Sequence, residues 1–532
     1  MSEKQLSKTL DYNCKADTYN CKGNYKDALK WYKKSLAIYE KELDKEHPFI
    51  AIAYNNVGIA YSNLGDPDEA YKWYKKALAI REKIFGKDHS SLAETYNNIA
   101  IVYRDQGDYD EALKWHKKDL VFCERFLGKE DPSTATTYNN IAQTYAAKGN
   151  TKEALRWFKK ALAIREKVLG KKHRQTATTY YNIGGIYSDR EDYDEALNWY
   201  KKALVIEEKT PGKEHPSTAD TYNDIGIVYS ELGKPKEALK YYEKSLAIKA
   251  KNPGKGHPLT AATYCNVAIV YSDLRNYEKA LEMYKNALAI YTKSFGKEDP
   301  LVADICVDIA EIYSEQDNYR EALKWNKKAL MIREKVLGVR NLATANSYYD
   351  LATVYCKQEK YNEALMWYEK SLISSEKALG KRNIYSAITH NVMAEVYSKQ
   401  GKYDEALLGY KKAQAIYKNV LGMELPDTAI SIADVYRSQR KYNKALEGYK
   451  KAAEISERVL GKKHPTTAEA YNNIGLVCAE LRKYEEALKW YRRALIVYEK
   501  VLGKNHPSTM KIYDNIAIAY DRQGNREEAL KW

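Results

Sequence analysis

The sequence predicts an all-α solenoid of about thirteen helix–turn–helix units, and three observations predict it. A tyrosine recurs every 42 residues, at Tyr12, Tyr54, Tyr96, Tyr138, Tyr180, Tyr222 and Tyr264. Cys306, Tyr348 and His390 continue that slot, and Tyr471 and Tyr513 resume it after one shorter unit. All nine tryptophans, from Trp31 to Trp532, occupy a second slot of the same period. The prolines fall only where helices are expected to begin or end, as their missing N–H requires. A fixed period of roughly 20–50 residues marks stacked units that bury their apolar faces against one another.

Each unit opens with a cap. His47, Asp131, His215, His257, Asp299, His464 and His506 precede a proline, and Asn341 and Asn383 hold the same place. Residues that share only an acceptor atom and replace one another predict a helix N-cap, with proline at the first helical position. Equivalent histidines lie a whole repeat apart and no HExxH or Cys/His cluster accompanies them, so no metal is expected. The first helix, helix A, follows as in TATTYNNIAQTYAAKG, where Tyr138, Ile141, Ala142 and Tyr145 share one face. Gly149 closes it, as Gly65, Gly107, Gly233 and Gly401 do elsewhere. Helix B (TKEALRWFKKALAIREKVLG) carries Ala154, Leu155, Phe158, Ala161, Leu162 and Ile164 on its apolar stripe.

The 532 residues therefore count repeats rather than domains: a leader over 1–11 and one array over 12–532. Hydrophobic content of 44% supports a continuous core, and 12 prolines with 26 glycines argue against disorder. No apolar run reaches about 18 residues, so no membrane span is expected. The start, MSEKQLSKTLDYN, lacks the apolar core of a secretory signal. Seven cysteines form no CxxC pair; Cys306 and Cys478 stand at apolar positions as small buried thiols, and a reducing cytoplasm fits. No phosphate loop, nucleophile elbow or paired-carboxylate site interrupts the repeat. The chain is expected to be no enzyme, with no catalytic residue and no cofactor.

The first unit is degenerate and polar, as a terminal repeat is expected to be. Late in the chain, Gly409 and Gly448 stand in the tryptophan slot, and helix A between Pro426 and Tyr442 is three residues short, around 427–435. Nearly a turn is lost, which predicts a rotation of roughly 60° and a kink or weak point near residues 405–450. The last unit stops at Trp532 with most of helix B missing. That predicts an open apolar end and self-association through it, or the sensor part of a larger signalling protein.

The order of conserved-type slots within a unit (an apolar–Gly/Ala pair, Tyr and Gly in helix A, then Ala, Tyr/Phe and Ala in helix B) resembles the tetratricopeptide repeat. Ile101–Gly107 (IVYRDQG), Ala161–Lys171 (ALAIREKVLGK) and Lys213–Pro216 (KEHP) resemble the 42-residue form found in kinesin light chains. The resemblance implies a right-handed superhelix with helix A on the concave face, and a protein-interaction scaffold. It also implies an alternative, a cargo adaptor of the kinesin light chain type. Motor attachment in that family runs through a coiled coil ahead of the repeats, and only 11 residues precede Tyr12 here.

The candidate site follows from that placement. One helix A slot holds Asn56, Asn98, Asn140, Asn182, Asp224, Asn266, Asp308, Asp350, Asn473 and Asn515. An amide offers both donor and acceptor, so such a ladder either grips the backbone of an extended peptide or hydrogen-bonds between neighbouring helices. Arg104 matches the kinesin light chain segment.

The formal charge of +15 invites nucleic acid, but its distribution argues otherwise. Lysine pairs such as Lys75-Lys76, Lys159-Lys160 and Lys201-Lys202 lie on helix B, while helix A carries Glu94, Asp105, Asp189, Asp220, Glu231, Asp273, Asp304, Glu311, Glu315 and Glu395. Arg104, Lys357, Lys399, Arg437, Lys511 and Arg522 are fewer. The expected partner is a protein or peptide, basic or neutral rather than acidic, and neither nucleic acid nor membrane.

Overall fold

The computed structural model describes residues 1–21, 24–86, 89–254 and 256–532. Among them are 26 α-helices and no strand, in the helix–turn–helix alternation of an α-solenoid. Two compact units divide the chain, Met1–Leu274 and Arg275–Trp532. Within each, helix A packs on helix B of its own repeat, and helix B packs on the next helix A.

The caps are formed as the sequence reading expects. The unprotonated Nδ1 of His47, His215, His257, His464 and His506 accepts the backbone N–H two residues on, at 3.2 Å in each case, and Asp131 and Asn341 do the same at 2.7 and 2.8 Å. His173 joins them, at 3.2 Å from the Gln175 N–H, without a following proline. The histidines are thus cap acceptors. Helix A typically runs 16 residues, as in Pro132–Ala147, and helix B 18 or 19, as in Thr151–Val168. The first helix runs Glu3–Cys21, across residue 12.

The turn from A to B needs one left-handed residue. Gly65, Gly107, Gly149, Gly233 and Gly401 supply it at φ of 65–81°, but Glu191, Asp317, Glu359, Arg440 and Arg482 adopt it at 56–59° with a Cβ, a conformation that costs roughly 1–2 kcal/mol outside glycine.

The core lies between the two helices of a pair and between successive pairs. The residue after the tryptophan slot is among its most enclosed members: Tyr74, Phe158, Tyr242, Tyr368, Tyr449 and Tyr491 are at most 2% exposed. A Cβ on Gly58, Gly226 or Gly475 would sit 2.5–2.7 Å from the ring of Tyr74, Tyr242 or Tyr491, which is why the helix A pair is apolar–Gly there. Cys306 and Cys478 are fully buried. The shortened helix A spans Pro426–Ser438, 13 residues. Gly409 and Gly448 pack against Ala394 and Ala433, where a Cβ would come within 2.9 Å of the alanine methyl. Loss of the tryptophan therefore goes with a closer approach of the two helices.

Candidate functional site

The ladder residues stand where the sequence placed them, half-buried on successive A helices. Their donors are engaged. Nδ2 of Asn98, Asn140, Asn182, Asn266 and Asn515 donates to Oδ1 of Asn55, Asn97, Asn139, Asn223 and Asn472 on the preceding helix A, at 2.8–3.2 Å. Of the two roles open to these amides, the bond between neighbouring helices is present. At Asp224 the polarity reverses: Tyr181 stands in the preceding slot, and its hydroxyl donates to the Asp224 carboxylate at 2.5 Å. Asn56 is half-buried and Asn473 buried on the same line.

Asp308 and Asp350 carry the slot into the second unit as acids. Burial pushes Asp308 up to about 7, with the Glu311 and Asp304 carboxylates adding to it and the Arg333 guanidinium opposing. Burial likewise raises Asp350 to about 6, and Asp224 is raised by the same cause. Removing a charged carboxylate from water disfavours its ionised form. Arg104 does not reach towards open space: its guanidinium lies 3.0 Å from Asp105 and 3.5 Å from Gln143.

Three further contacts explain residues the sequence reading left on the surface. The recurrent helix A tyrosine donates its hydroxyl to a glutamate 14 residues earlier, on the preceding helix B: Tyr54 to Glu40, Tyr138 to Glu124, Tyr180 to Glu166 and Tyr471 to Glu457 at 2.5–2.8 Å, and Tyr222, Tyr348 and Tyr513 to Glu208, Glu334 and Glu499. The constant spacing of Tyr and Glu was the available signal.

The second lysine of the helix B pairs, and Lys370 after Glu369, lies over the tryptophan three residues before it. Lys76, Lys118, Lys160, Lys202 and Lys370 stand 3.9–4.3 Å from the ring centroids of Trp73, Trp115, Trp157, Trp199 and Trp367. These tryptophans are half-buried rather than enclosed, and a cation over the indole face is worth roughly 0.5–1 kcal/mol at such a site.

A last helix B slot is buried and polar. Arg81, Arg165 and Arg333 are 3–8% exposed. Arg165 donates to Thr179 Oγ1 (2.7 Å), the Gln175 carbonyl (3.1 Å) and Thr136 Oγ1 (3.1 Å). Arg81 meets Thr95 and Glu94, Arg333 meets Ser347 and Asp304, and Lys249 meets Thr263 and Asp220. The same slot holds Cys123, beside Asp119 and Thr137, and Glu207, which accepts from Thr221 at 2.7 Å. Glu94, Asp220 and Asp304, counted above as acidic groove residues, are therefore counter-ions to buried cations.

No described helix is long and apolar enough to cross a membrane. No curated protein matches the chain. Among solved structures, it is similar to a Podosopora anserina protein described as a kinesin light chain with nearly identical TPR-like repeats. Identity is 23% over 40% of this chain and 99% of that one, with a TM-score of 0.34. It is also similar to BtubC (BKLC) from P. vanneervenii, at 18% identity over 48% and 94%, TM-score 0.35. The apo form of RapI matches at 19% over 54% and 98%, TM-score 0.41. The tetratricopeptide repeat pattern matches in overlapping stretches from residues 9–83 through 133–206 and 342–419 to 467–532. The chain belongs to the tetratricopeptide repeat family.

Proposed function

We propose that the chain is a non-catalytic scaffold that holds an extended segment of a partner protein along the A helices, a segment basic or neutral rather than acidic. Tetratricopeptide repeats are in general a protein-interaction fold. The observation that carries the reading is the ladder itself. An amide or carboxylate stands half-buried at the same place on successive A helices of each unit. Asn98, Asn140, Asn182, Asn266 and Asn515 donate to their neighbours, and an amide carbonyl oxygen has a lone pair suited to the N–H of a passing extended backbone. Acids at Asp189, Glu231, Asp273 and Glu311 on the same helices favour basic over acidic segments. On helix B, the lysines over tryptophan faces occupy the planes on which nucleic-acid bases would stack, which supports a protein rather than a nucleic-acid partner.

The test is capture of arrayed extended peptides by the intact chain beside an Asn98/Asn140/Asn182→Ala triple variant, with unfolding followed on both. Weaker capture by a variant still folded at the assay temperature is expected. Equal capture of the same peptides would remove the ladder as the seat, and a uniform preference for acidic tryptophan-bearing peptides would remove the charge assignment.

A further inference from the structure

In the second unit, both devices that close the space between neighbouring repeats are interrupted at one place. The slot after the tryptophan, tyrosine in nine other repeats (Tyr32, Tyr74, Tyr200, Tyr242, Tyr284, Tyr368, Tyr410, Tyr449 and Tyr491), Phe158 in one and His116 in another, holds Asn326. Three of these tyrosines reach a polar helix A residue 15 positions earlier: Tyr32 to Asp17, Tyr449 to Asp434, and Tyr368 to Thr353 at 3.1 Å. The residue 15 before Asn326 is Glu311, and an asparagine is too short to span that gap. The ladder fails at the same junction. Asp350 is due a partner 43 residues earlier, and that residue is Val307, which has no polar atom to offer.

The result is a cavity of about 220 Å³ whose lining includes Val307, Glu311, Glu315, Asn326, Asp350 and Lys357. Asn326 is 4% exposed, and its carbonyl oxygen, on the cavity wall, has no hydrogen-bond partner. An unsatisfied buried acceptor is destabilising. Lys357 is turned to Glu315 and Ser314, each at 3.1 Å, and Arg333 is held by Asp304 and Ser347, so the neighbouring cations already have anionic or hydroxyl partners. The charged and unsatisfied groups lining the cavity are the Asn326 amide oxygen, the Asp350 and Glu311 carboxylates and the Lys357–Glu315 pair, with Glu311 exposed.

We infer that this cavity is a pocket for a basic side chain, lysine or arginine, of the bound partner segment. A lysine ammonium has three donors and no acceptor, which matches the Asn326 oxygen, Asp350 and Glu311 in number and sign. The alkyl stem would lie against Val307 and Ala310. The inference rests on the scaffold reading and sharpens it: the partner is read at one position by charge, on repeats where Asp308, Asp350 and Glu311 gather.

Two variants test it. Asn326→Tyr installs the residue the slot carries in nine other repeats, with alanine opposite in several of them (Ala16 with Tyr32, Ala352 with Tyr368, Ala394 with Tyr410, Ala433 with Tyr449), and should fill the cavity and reach Glu311. Val307→Asn should restore the ladder by donating to Asp350. The full chain and both variants are titrated against peptides with one fixed position (lysine, arginine, norleucine or glutamate) in a randomised extended background, with circular dichroism and unfolding midpoints recorded alongside. The wild-type chain is expected to bind the lysine or arginine series about tenfold tighter than the norleucine series, and both variants to lose that preference while still binding. Equal binding of lysine and norleucine, or a preference that survives in both folded variants, would overturn the pocket and leave the scaffold reading standing. Failure of the wild-type chain to bind any series would overturn the scaffold reading and the pocket with it.

Discussion

The Asn140 side chain donates its amide N–H to the Asn97 carboxamide oxygen at 2.8 Å, across the gap between two A helices. A residue that looked like a peptide grip in sequence is thereby also a joint between repeats. The two duties are separable by a double-mutant cycle on Asn97→Ala and Asn140→Ala. A coupling energy of about 0.5–1.5 kcal/mol is expected in urea unfolding, the net value of one neutral hydrogen bond. Additive single effects would mean that the contact adds no stability.

Arg165 makes three hydrogen bonds from the buried helix B slot. Arg165→Ala removes the donor from the buried Thr179 hydroxyl and from two partly buried acceptors, and about 2–4 kcal/mol should be lost. Hydrogen exchange should localise the loss to the helix Arg174–Asp189. Arg165→Met, which keeps the stem, should recover part of the packing but none of the hydrogen bonds.

Asp308 should make the second unit less stable as pH rises. Its folded value is about 7 and its ordinary value 3.8, so between those limits the folded form holds a proton the unfolded form has released, and stability falls with increasing pH. The effect is complete above about pH 7 and relieved towards pH 4. Asp308→Asn should remove this dependence and raise stability at pH 8 by about 1 kcal/mol, a figure discounted for partial solvation. Parallel pH profiles of the unfolding midpoint for wild type and variant would refute the assignment.

Gly475→Ala should destabilise its repeat. The new methyl falls 2.5 Å from a Tyr491 ring carbon, and that ring is 1% exposed. Overpacking costs roughly 1–3 kcal/mol against about 1 kcal/mol gained in helix propensity, so a net loss of about 1 kcal/mol is expected by chemical denaturation. Tyr491→Leu should relieve the clash in the double variant.

Glu191→Gly and Glu359→Gly should act in the opposite direction. Both glutamates hold φ of 59° at the A–B turn. Glycine there removes a left-handed cost of roughly 1–2 kcal/mol and loses part of it to unfolded-chain entropy. A gain of about 0.5 kcal/mol per site is expected in thermal unfolding, and a loss at either site would contradict the turn assignment.

Most of the fold was legible because its determinants are local. Caps, proline positions, the Tyr and Trp period and the short helix at Pro426–Ser438 are all set within one repeat. The left-handed turns at Glu191, Asp317 and Glu359 were less so, because charged residues occupy a place that glycine marks elsewhere. The roles of Arg165, Glu40 and Lys160 depend on a neighbour 14 or more residues away, or on which side of helix B a cation lies, and a single helix pattern does not carry that. Read alone, Glu94 and Asp304 are surface acids; their partners Arg81 and Arg333 are buried basic residues on another helix. Asn326 and Val307 became informative only when the cavity joined them.

The variable slot of Arg81, Cys123, Arg165, Glu207, Lys249 and Arg333 has a consequence for how the chain assembles. Repeats this alike offer many wrong docking partners of similar shape and apolar content, and multirepeat chains misassemble by such exchanges. Here the buried polar match changes from junction to junction: a guanidinium needs Thr136 and Thr179, a carboxylate needs Thr221, an ammonium needs Asp220. A helix B docked one repeat out of place would bury a charge opposite the wrong group. Mismatched burial of that kind is strongly destabilising, so this slot disfavours exchange between a cationic and an anionic junction.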